Sequence, residues 1–354
     1  MRAMVFRGIG EVQAASLPTP IPAAGEALLR VHSVGLCMTD MHIMMGHFAV
    51  KPPRVLGHEL AGVVTAVGAG VDPAWIGQLA GVSPARFCGH CLPCRNGSPH
   101  LCANFECLGN THDGGLAEFT LVRGEQLVAL PNGMTAERAV WMEPLACVLH
   151  ALETAAALPR IKGNDGRTRV LVSGAGTLGR LLIQALRFSA SNDDDSAVSV
   201  AVVDPNADKV RIALAAGAEA GWIVPRSGSA DETAAQIRAW ADGSLMAVIE
   251  TSGKAIAVER SLDWATPRTR IVLFGVSDPQ DRAAISPSTI LAKELSITAA
   301  AGMTPATFDA AARLLNDDRL DTASLVEQVI DLERVPDALT RMSQRSTGKI
   351  LVRL

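Results

Sequence analysis

The 354-residue sequence lacks any long uncharged apolar run and any surplus of basic residues. No stretch reaches the roughly 18 apolar residues that a membrane-spanning helix needs, and the first residues lack the apolar segment of an export signal. With 32 basic and 36 acidic residues the net charge is −4, which offers no broad basic surface to nucleic acid or to an anionic membrane. We therefore expect a cytoplasmic protein without nucleic-acid or membrane partners.

Aromatic residues are also scarce, at 4%, and tyrosine is absent. Even so, 48% of the residues are hydrophobic and 19% are charged, a composition that supports sizeable packed cores and differs from that of disordered chains. The length favours two domains.

The pattern of apolar runs divides the chain into two kinds of sequence. The first half is rich in β-branched residues, glycine and proline, which indicates an irregular, mainly β domain. From Arg169 the pattern predicts strands and helices in alternation, with strands at 169–173, 198–203, 247–250 and 270–274 and helices at 177–188 and 209–216. This alternation is typical of a doubly wound α/β domain with a parallel sheet.

The end of the chain changes character again. A helix is predicted at 305–315, and a turn with a closing strand is predicted at 346–354. The acidic run at 193–195 indicates a solvated loop.

A dinucleotide-binding motif follows the strand at 169–173. Its members are Gly174, Ala175, Gly176, Thr177, Leu178 and Gly179. The glycines permit a tight turn, a close approach to a pyrophosphate and close helix packing, and the helix start supplies N–H groups to phosphate. Asp204 ends the next strand, where a carboxylate accepts hydrogen bonds from ribose hydroxyls and repels a 2′-phosphate. We therefore expect NAD rather than NADP; the alternative is a glycine turn in another α/β fold.

Four cysteines form a second motif at close spacing, namely Cys88, Cys91, Cys94 and Cys102. Four thiolates complete a tetrahedral shell around one zinc ion and leave no open position, so this spacing predicts a structural zinc site. An iron–sulfur cluster, a nucleic-acid-binding zinc ribbon and four unrelated cysteines are the alternatives.

A further metal site has candidates that are scattered in sequence. Cys37, His58, Glu59 and Glu143 offer the thiolate, imidazole and carboxylate ligands of a catalytic zinc, but their spacing alone does not bring them together. An isolated cysteine or histidine is usually a packed core residue. Adjacent strand residues point to opposite faces, so His58 and Glu59 share a metal only if the backbone is irregular there.

These motifs, taken in order, resemble the zinc-dependent medium-chain dehydrogenase/reductase superfamily. The residues that carry the resemblance are Cys37 to His42, Gly57 to Glu59, the four-cysteine cluster, Glu143 to Leu145, and Gly174 to Gly179 with Asp204. The resemblance covers essentially the whole chain. It implies a GroES-like catalytic domain at 1–151 and 292–354 and a Rossmann NAD-binding domain at 152–291.

The resemblance also implies a catalytic zinc on Cys37, His58, Glu59 and Glu143, hence two zinc ions per chain with the structural one. The segment from Glu143 is similar to the polyol and threonine dehydrogenase branch. Glu59 and Glu143 are each either direct ligands or lie just outside the metal's ligands.

The implied reaction is hydride transfer between a small alcohol, polyol, cyclitol or amino alcohol and NAD. Thr39 would take the substrate proton and His42 would carry it onward; a turn residue and a surface histidine are the alternatives for these two. A carbonyl reductase that prefers NADPH, and a non-catalytic nucleotide-binding regulatory protein of the same fold, are the alternative functions. Relatives usually form homodimers or homotetramers.

Some positions depart from the polyol branch. Gly302 and Met303 stand where related polyol dehydrogenases carry an Arg-Tyr pair, which argues against a sorbitol-like substrate. A set of large apolar residues either lines a more apolar pocket or packs in the core: Met44, Met45, Phe48 and Trp141.

Overall fold

The computed structural model describes residues 1–157, 162–190, 198–344 and 348–354. It divides the chain into two compact units, one formed by Met1–Ala146 with Met303–Leu354 and the other by Cys147–Gly302. The boundaries predicted from the sequence lie after residues 151 and 291. The acidic run at 193–195 lies outside the described residues.

The N-terminal part of the first unit is mainly β. Its strands are β1 (Arg2–Gly8), β2 (Glu11–Ser16), β3 (Glu26–Gly35), β4 (Arg54–Val55), β5 (Glu59–Val67), β6 (Leu79–Val82), β7 (Ala85–Arg86), β8 (Glu106–Cys107), β9 (Phe119–Arg123) and β10 (Leu127–Ala129). Its helices are α1 (Met38–Met44), α2 (Leu92–Arg95), α3 (Ala136–Ala139) and α4 (Met142–Ala156), and the boundary between the units falls within α4.

The second unit alternates strand and helix. Its strands are β11 (Thr168–Ser173), β12 (Val198–Asp204), β13 (Ala220–Ile223), β14 (Leu245–Glu250), β15 (Arg270–Leu273) and β16 (Ser296–Ala299). Its helices are α5 (Thr177–Ala190), α6 (Ala207–Ala215), α7 (Asp231–Ala241), α8 (Ala255–Trp264) and α9 (Pro287–Lys293). The chain then returns to the first unit with α10 (Pro305–Leu314), β17 (Val326–Asp331), α11 (Val335–Gln344) and β18 (Lys349–Arg353).

In the second unit, neighbouring strands pair in parallel in the order β13-β12-β11-β14-β15-β16. Strand β11 is buried along its whole length, which explains its nearly continuous apolar sequence. Counted from β11, this order is 3-2-1-4-5-6, the doubly wound arrangement that binds dinucleotides where the strand order reverses. The predicted Rossmann fold is confirmed.

In the first unit, the sheet that positions the candidate metal site has the order β10-β6-β5-β3-β18-β17, and β9 also pairs with β3. The closing strand β18 lies antiparallel to β3, so the two ends of the chain share one sheet and one apolar core. Together with the Rossmann unit, this mainly β unit confirms the predicted fold class. In the described part of the chain, no helix combines the length and apolar character that crossing a bilayer requires.

Candidate active site and zinc centres

The four-cysteine loop converges as its spacing predicts. One sulfur from each of Cys88, Cys91, Cys94 and Cys102 lies within 4.8 Å of the others. The backbone N–H groups of Cys88 and Asn104 both donate to the Cys102 sulfur at 3.3 Å. A shell of four thiolates with backbone donors suits zinc.

The thiols of this loop differ in acidity. The backbone N–H of His90 is the main cause that lowers the pKa of Cys88 to about 5. Burial, followed by the neighbouring Cys91 thiol, raises the pKa of Cys94 to about 12.

A second group of mutually close ligand atoms lies in the same unit. The Cys37 sulfur, a His58 ring nitrogen and a Glu59 carboxylate oxygen lie within 4.8 Å of one another. Cys37 ends the turn between β3 and α1, whereas Glu59 opens β5. His58 and Glu59 are 8% and 1% exposed and Cys37 is half-buried, so two of the three donors are shielded from water.

The backbone before β5 resolves how two adjacent residues meet one position. His58 precedes the strand, and Gly57 has a φ of +90°, a conformation that favours glycine. The regular alternation of side chains therefore begins only after His58, and both side chains join the same group.

Asp40 organises this centre, although the sequence analysis quoted it only as part of the Cys37 motif. Its carboxylate, fully buried, accepts the backbone N–H of Cys37 at 2.9 Å and that of Gly57 at 3.1 Å. One of its oxygens lies 3.8 Å from Nδ1 of His58. A single carboxylate thus joins the two segments that carry Cys37 and His58.

The electrostatic environment of His58 is strongly anionic. Burial lowers the pKa of His58, but the Cys37 sulfur, Asp40 and Glu143 outweigh it, so the pKa lies well above its usual range. Anionic groups that favour the positive imidazolium also attract a metal cation.

Glu143 lies in the first turn of α4. Its carboxylate is near enough to act on the pKa values of His58 and Lys349, but among the described residues the group of mutually close ligand atoms does not include it. The structure therefore brings three of the four candidate ligands together, and Glu143 stands near them.

Two further side chains at this centre were missed by the sequence analysis. Lys349, at the start of β18, is 6% exposed and its Nζ lies 2.6 and 2.7 Å from the two carboxylate oxygens of Glu59. Burial raises the pKa of Cys107 to about 11, and Glu143, Asp40 and Cys37 add to that rise while His58 opposes it. In the sequence, Lys349 could have been noticed only as a basic residue at the start of an apolar strand.

Thr39 and His42 lie on α1, immediately after Cys37. The Cys37 thiol donates to Oγ1 of Thr39 at 3.5 Å. His42, 8% exposed, has Nδ1 3.0 Å from Nδ1 of His47, so one of these nitrogens donates and the other accepts. The two residues are one helical turn apart, on neighbouring positions of one face.

The four large apolar residues considered in the sequence analysis differ in their burial. Trp141 is fully buried, and Met44 packs against the core of the first unit. Met45 and Phe48 are 44% and 38% exposed, and the Phe48 ring meets the His42 ring edge to face. Core packing therefore accounts for Trp141 and Met44.

In the second unit, each of the three glycines of the dinucleotide-binding motif is required for a different structural reason. Gly174 has a φ of +108°. A side chain at Gly176 would meet nothing within 4 Å, which leaves the backbone open to a ligand. A Cβ at Gly179 would lie 1.9 Å from the carbonyl oxygen of Gly174, so only glycine lets α5 pack this closely. Thr177 and Leu178 form the first turn of α5.

Asp204 lies at the end of β12, beside the glycine turn. Its carboxylate accepts the N–H of Ala175 at 2.9 Å and that of Asn206 at 2.8 Å, and it is 8% exposed. Each carboxylate oxygen has two acceptor sites, so capacity for a ribose hydroxyl remains. Oγ1 of Thr251, which the sequence analysis missed, lies 3.0 Å from the carbonyl oxygens of both Ser173 and Gly174, and its one O–H ties the turn to the end of β14.

Comparison with known proteins gives two family matches. Residues 23–132 match the alcohol dehydrogenase GroES-like domain, and residues 195–317 match the zinc-binding dehydrogenase domain. Among curated proteins, the starvation-sensing protein RspB of Escherichia coli K12 is 29% identical, with 97% of this chain and 96% of that protein covered. D-arabinitol dehydrogenase 1 of Uromyces fabae is 27% identical, with 100% and 97% covered.

Several solved structures share the fold of this protein over its whole length. A structure from Sinorhizobium meliloti 1021 bound to NADP has a TM-score of 0.87 at 28% identity and covers 100% of this chain and 99% of that one. Galactitol-1-phosphate dehydrogenase from Escherichia coli has a TM-score of 0.86 at 27% identity and covers 100% of both chains.

Proposed function

Since this chain belongs to the zinc-dependent medium-chain dehydrogenase/reductase superfamily and is an alcohol or polyol oxidoreductase, we propose that it transfers a hydride between a small secondary alcohol, polyol, cyclitol or amino alcohol and NAD. The observation that carries this proposal is the group of Cys37, His58 and Glu59, whose ligand atoms lie within 4.8 Å of one another. A thiolate, an imidazole and a carboxylate form the kind of donor set that catalytic zinc takes.

Cys37, His58 and Glu59 would hold the catalytic zinc, with Glu143 as a further candidate ligand, and the four-cysteine loop would hold the structural one. When bound, the catalytic zinc supplies a Lewis acid that makes a substrate hydroxyl easier to deprotonate. Asp40 holds the Cys37 and Gly57 backbones together, so the two ligands keep their spacing without substrate.

The proton would leave along α1. Oγ1 of Thr39 stands beside the Cys37 sulfur and would accept the substrate proton while it gives up its own hydroxyl proton, which His42 would carry onward. The Nδ1 contact between His42 and His47 extends this route to a half-buried ring. An imidazole suits this role because its unperturbed pKa lies near neutrality.

The proposed oxidant is NAD, held by the glycine motif of the second unit. Asp204 supports this preference because its buried carboxylate sits at the end of β12, where it repels a 2′-phosphate. An NADPH-preferring carbonyl reductase is the second candidate, and it is favoured by a solved relative that is bound to NADP. A regulatory protein without catalysis is the third, and the intact donor set argues against it.

Activity decides among these candidates. We expect NADH to form when NAD is mixed with at least one member of a panel of polyols, sugars, cyclitols, amino alcohols and secondary alcohols. The Cys37→Ser variant should lose turnover and keep its NAD affinity. The Asp204→Ala variant should lose more affinity for NAD than for NADP. Full turnover in Cys37→Ser, or an unchanged cofactor preference in Asp204→Ala, would contradict the assignments.

Location and assembly complete the proposal. We propose the cytoplasm, where the thiols of both metal-binding groups remain reduced. We also propose a homo-oligomer, because β16 ends the parallel sheet and, within the described residues, its outer edge has no strand beside it. Sedimentation analysis tests the second point, and a monomer at micromolar concentration would contradict it.

A further inference from the structure

A buried arginine in the second unit binds the backbone of a surface loop. Arg260 lies on α8 and is 6% exposed. One of its terminal nitrogens donates to the carbonyl oxygen of Pro225, and the other donates to that of Gly228 at 3.0 Å. Both acceptors belong to the β13–α7 loop (residues 224–230), which is exposed from 225 to 229. Because burying a guanidinium group is costly unless its donors are satisfied, these contacts hold the loop against the unit.

Arg260 is the main anchor of the β13–α7 loop. Among the residues that the structure describes, no other side chain donates to a carbonyl of this loop. Pro225 has no N–H group to contribute, and Gly228 has a φ of +81°, so the loop follows an irregular course. The shape of the loop therefore depends on the two carbonyls that Arg260 binds.

The β13–α7 loop lies at the edge of the sheet where a dinucleotide binds. The glycine motif follows β11, Asp204 ends β12 and the loop follows β13, so all three lie at the carboxyl ends of neighbouring parallel strands. Asp204 pairs with Ile223, and the N–H of Val224 donates to the carbonyl oxygen of Asp204 at 3.2 Å. A dinucleotide places its pyrophosphate at the glycine motif and its ribose at the acid. The adenine base therefore extends toward β13 and its loop.

The end of β13 also offers the apolar surface that a base requires. Ile223 is 57% exposed although its side chain is large and apolar. Binding sites for cofactors combine apolar side chains with a few well-placed polar groups, and here the polar group is the neighbouring Asp204. The exposed isoleucine, the acid and the anchored loop thus form one continuous edge.

We propose that Arg260 is a positioning residue for the adenosine half of the cofactor, because it holds the β13–α7 loop in the shape that packs beside the adenine base. The inference rests on the proposed function, since it needs a dinucleotide at the glycine motif and Asp204. Arg260 is buried and its bonds go to the loop backbone, so it acts through the loop and does not touch the cofactor.

ADP-ribose contains the adenosine half without nicotinamide, and isothermal titration calorimetry measures its binding without turnover. We expect Arg260→Met to bind ADP-ribose about 10-fold more weakly than the wild type, because a loop that keeps its binding shape about a tenth of the time lowers the apparent affinity by that factor. The KM for NAD should rise by a similar factor. The kcat at saturating NAD should change by less than about twofold, since the nicotinamide end is not altered.

Arg270 provides the matched control within the same unit. It is 8% exposed and donates to the carbonyl oxygens of Thr154 at 2.6 Å and Ala155 at 3.5 Å, so its burial and its kind of acceptor match those of Arg260. It opens β15 and therefore lies at the amino end of a strand, away from the edge where a dinucleotide binds. Arg270→Met should lower the stability in urea, as Arg260→Met does, and leave the affinity for ADP-ribose unchanged.

Arg260→Lys and Arg270→Lys repeat the comparison with the charge retained, and they decide it if a methionine variant does not fold. A lysine reaches one carbonyl more easily than two, so Arg260→Lys should lose part of the affinity for ADP-ribose and Arg270→Lys none. Equal affinities in the Arg260 and Arg270 variants, whether unchanged or lowered alike, overturn the role of Arg260 while the cofactor site stands. A wild type that does not bind ADP-ribose, or an Asp204→Ala variant that binds it equally well, instead overturns the proposed cofactor site.

Discussion

Replacing Asp40 by alanine should destabilise the first unit and loosen the metal site together. The Asp40 carboxylate is fully buried and accepts the backbone N–H groups of Cys37 at 2.9 Å and Gly57 at 3.1 Å. Alanine leaves both donors buried without a partner. Each such group costs about 1–3 kcal/mol, so the free energy of unfolding should fall by about 2–6 kcal/mol.

Asparagine at the same position has nearly the same shape but one acceptor oxygen, and its amide N–H₂ meets one of the two donors. The loss in Asp40→Asn should therefore be about half that of the alanine variant, or about 1–3 kcal/mol. Because Asp40 also lies 3.8 Å from Nδ1 of His58, zinc affinity at this site should fall by about 10–100-fold in both variants.

Urea denaturation of the metal-free protein measures the first effect, and competition with a chelator measures the second. Asp72→Ala is the control, because Asp72 also accepts a backbone N–H, that of Ala74 at 2.9 Å, but is exposed. Its loss should be no more than about 0.5–2 kcal/mol, as for other caps. If Asp40→Ala unfolds at the same urea concentration as Asp72→Ala, the organising role of Asp40 is refuted.

Two other perturbations follow from the same geometry. Gly35→Ala should lower the free energy of unfolding by about 1–3 kcal/mol and displace the Glu59 carboxylate, because the new Cβ would lie 2.1 Å from Oε2. Gly8→Ala is the control and should be nearly neutral in the same urea titration, since its Cβ would meet nothing within 4 Å. Equal stability of the two variants would contradict the close approach of Glu59 to Gly35. After chelation of zinc at pH 7, Cys88, with its pKa of about 5, should be alkylated before Cys94, with its pKa of about 12, because only the thiolate reacts. Mass spectrometry of the modified peptides checks the order, and earlier labelling of Cys94 would contradict it.

The parts of the structure that depend on local sequence could be predicted from the sequence. The four cysteines lie within 15 positions and need only tight turns to meet, and the structure gathers them. The glycine motif follows β11 directly and opens α5, so its local context identifies it. The predicted strand ends agree with the structure within a few residues because the apolar runs are bounded by turns.

The catalytic group depends on long-range topology, and spacing alone did not assemble it. The resemblance brought Cys37, His58 and Glu59 together as candidates, and the turn at Gly57 shows how two neighbouring side chains reach one position. Lys349 lies 290 residues from Glu59 and meets it only because β18 pairs with β3. No sequence pattern predicts that pairing of side chains.

A metal held by Cys37 and His58 is the central feature of the proposed active site, and the zinc content of the protein measures it. Elemental analysis of the purified protein should find about two zinc ions per chain in the wild type and about one in Cys37→Ser, because one closed and one open site are expected. Equal zinc content in the two proteins would contradict the account, and so would a wild type that carries only the zinc of the four-cysteine loop.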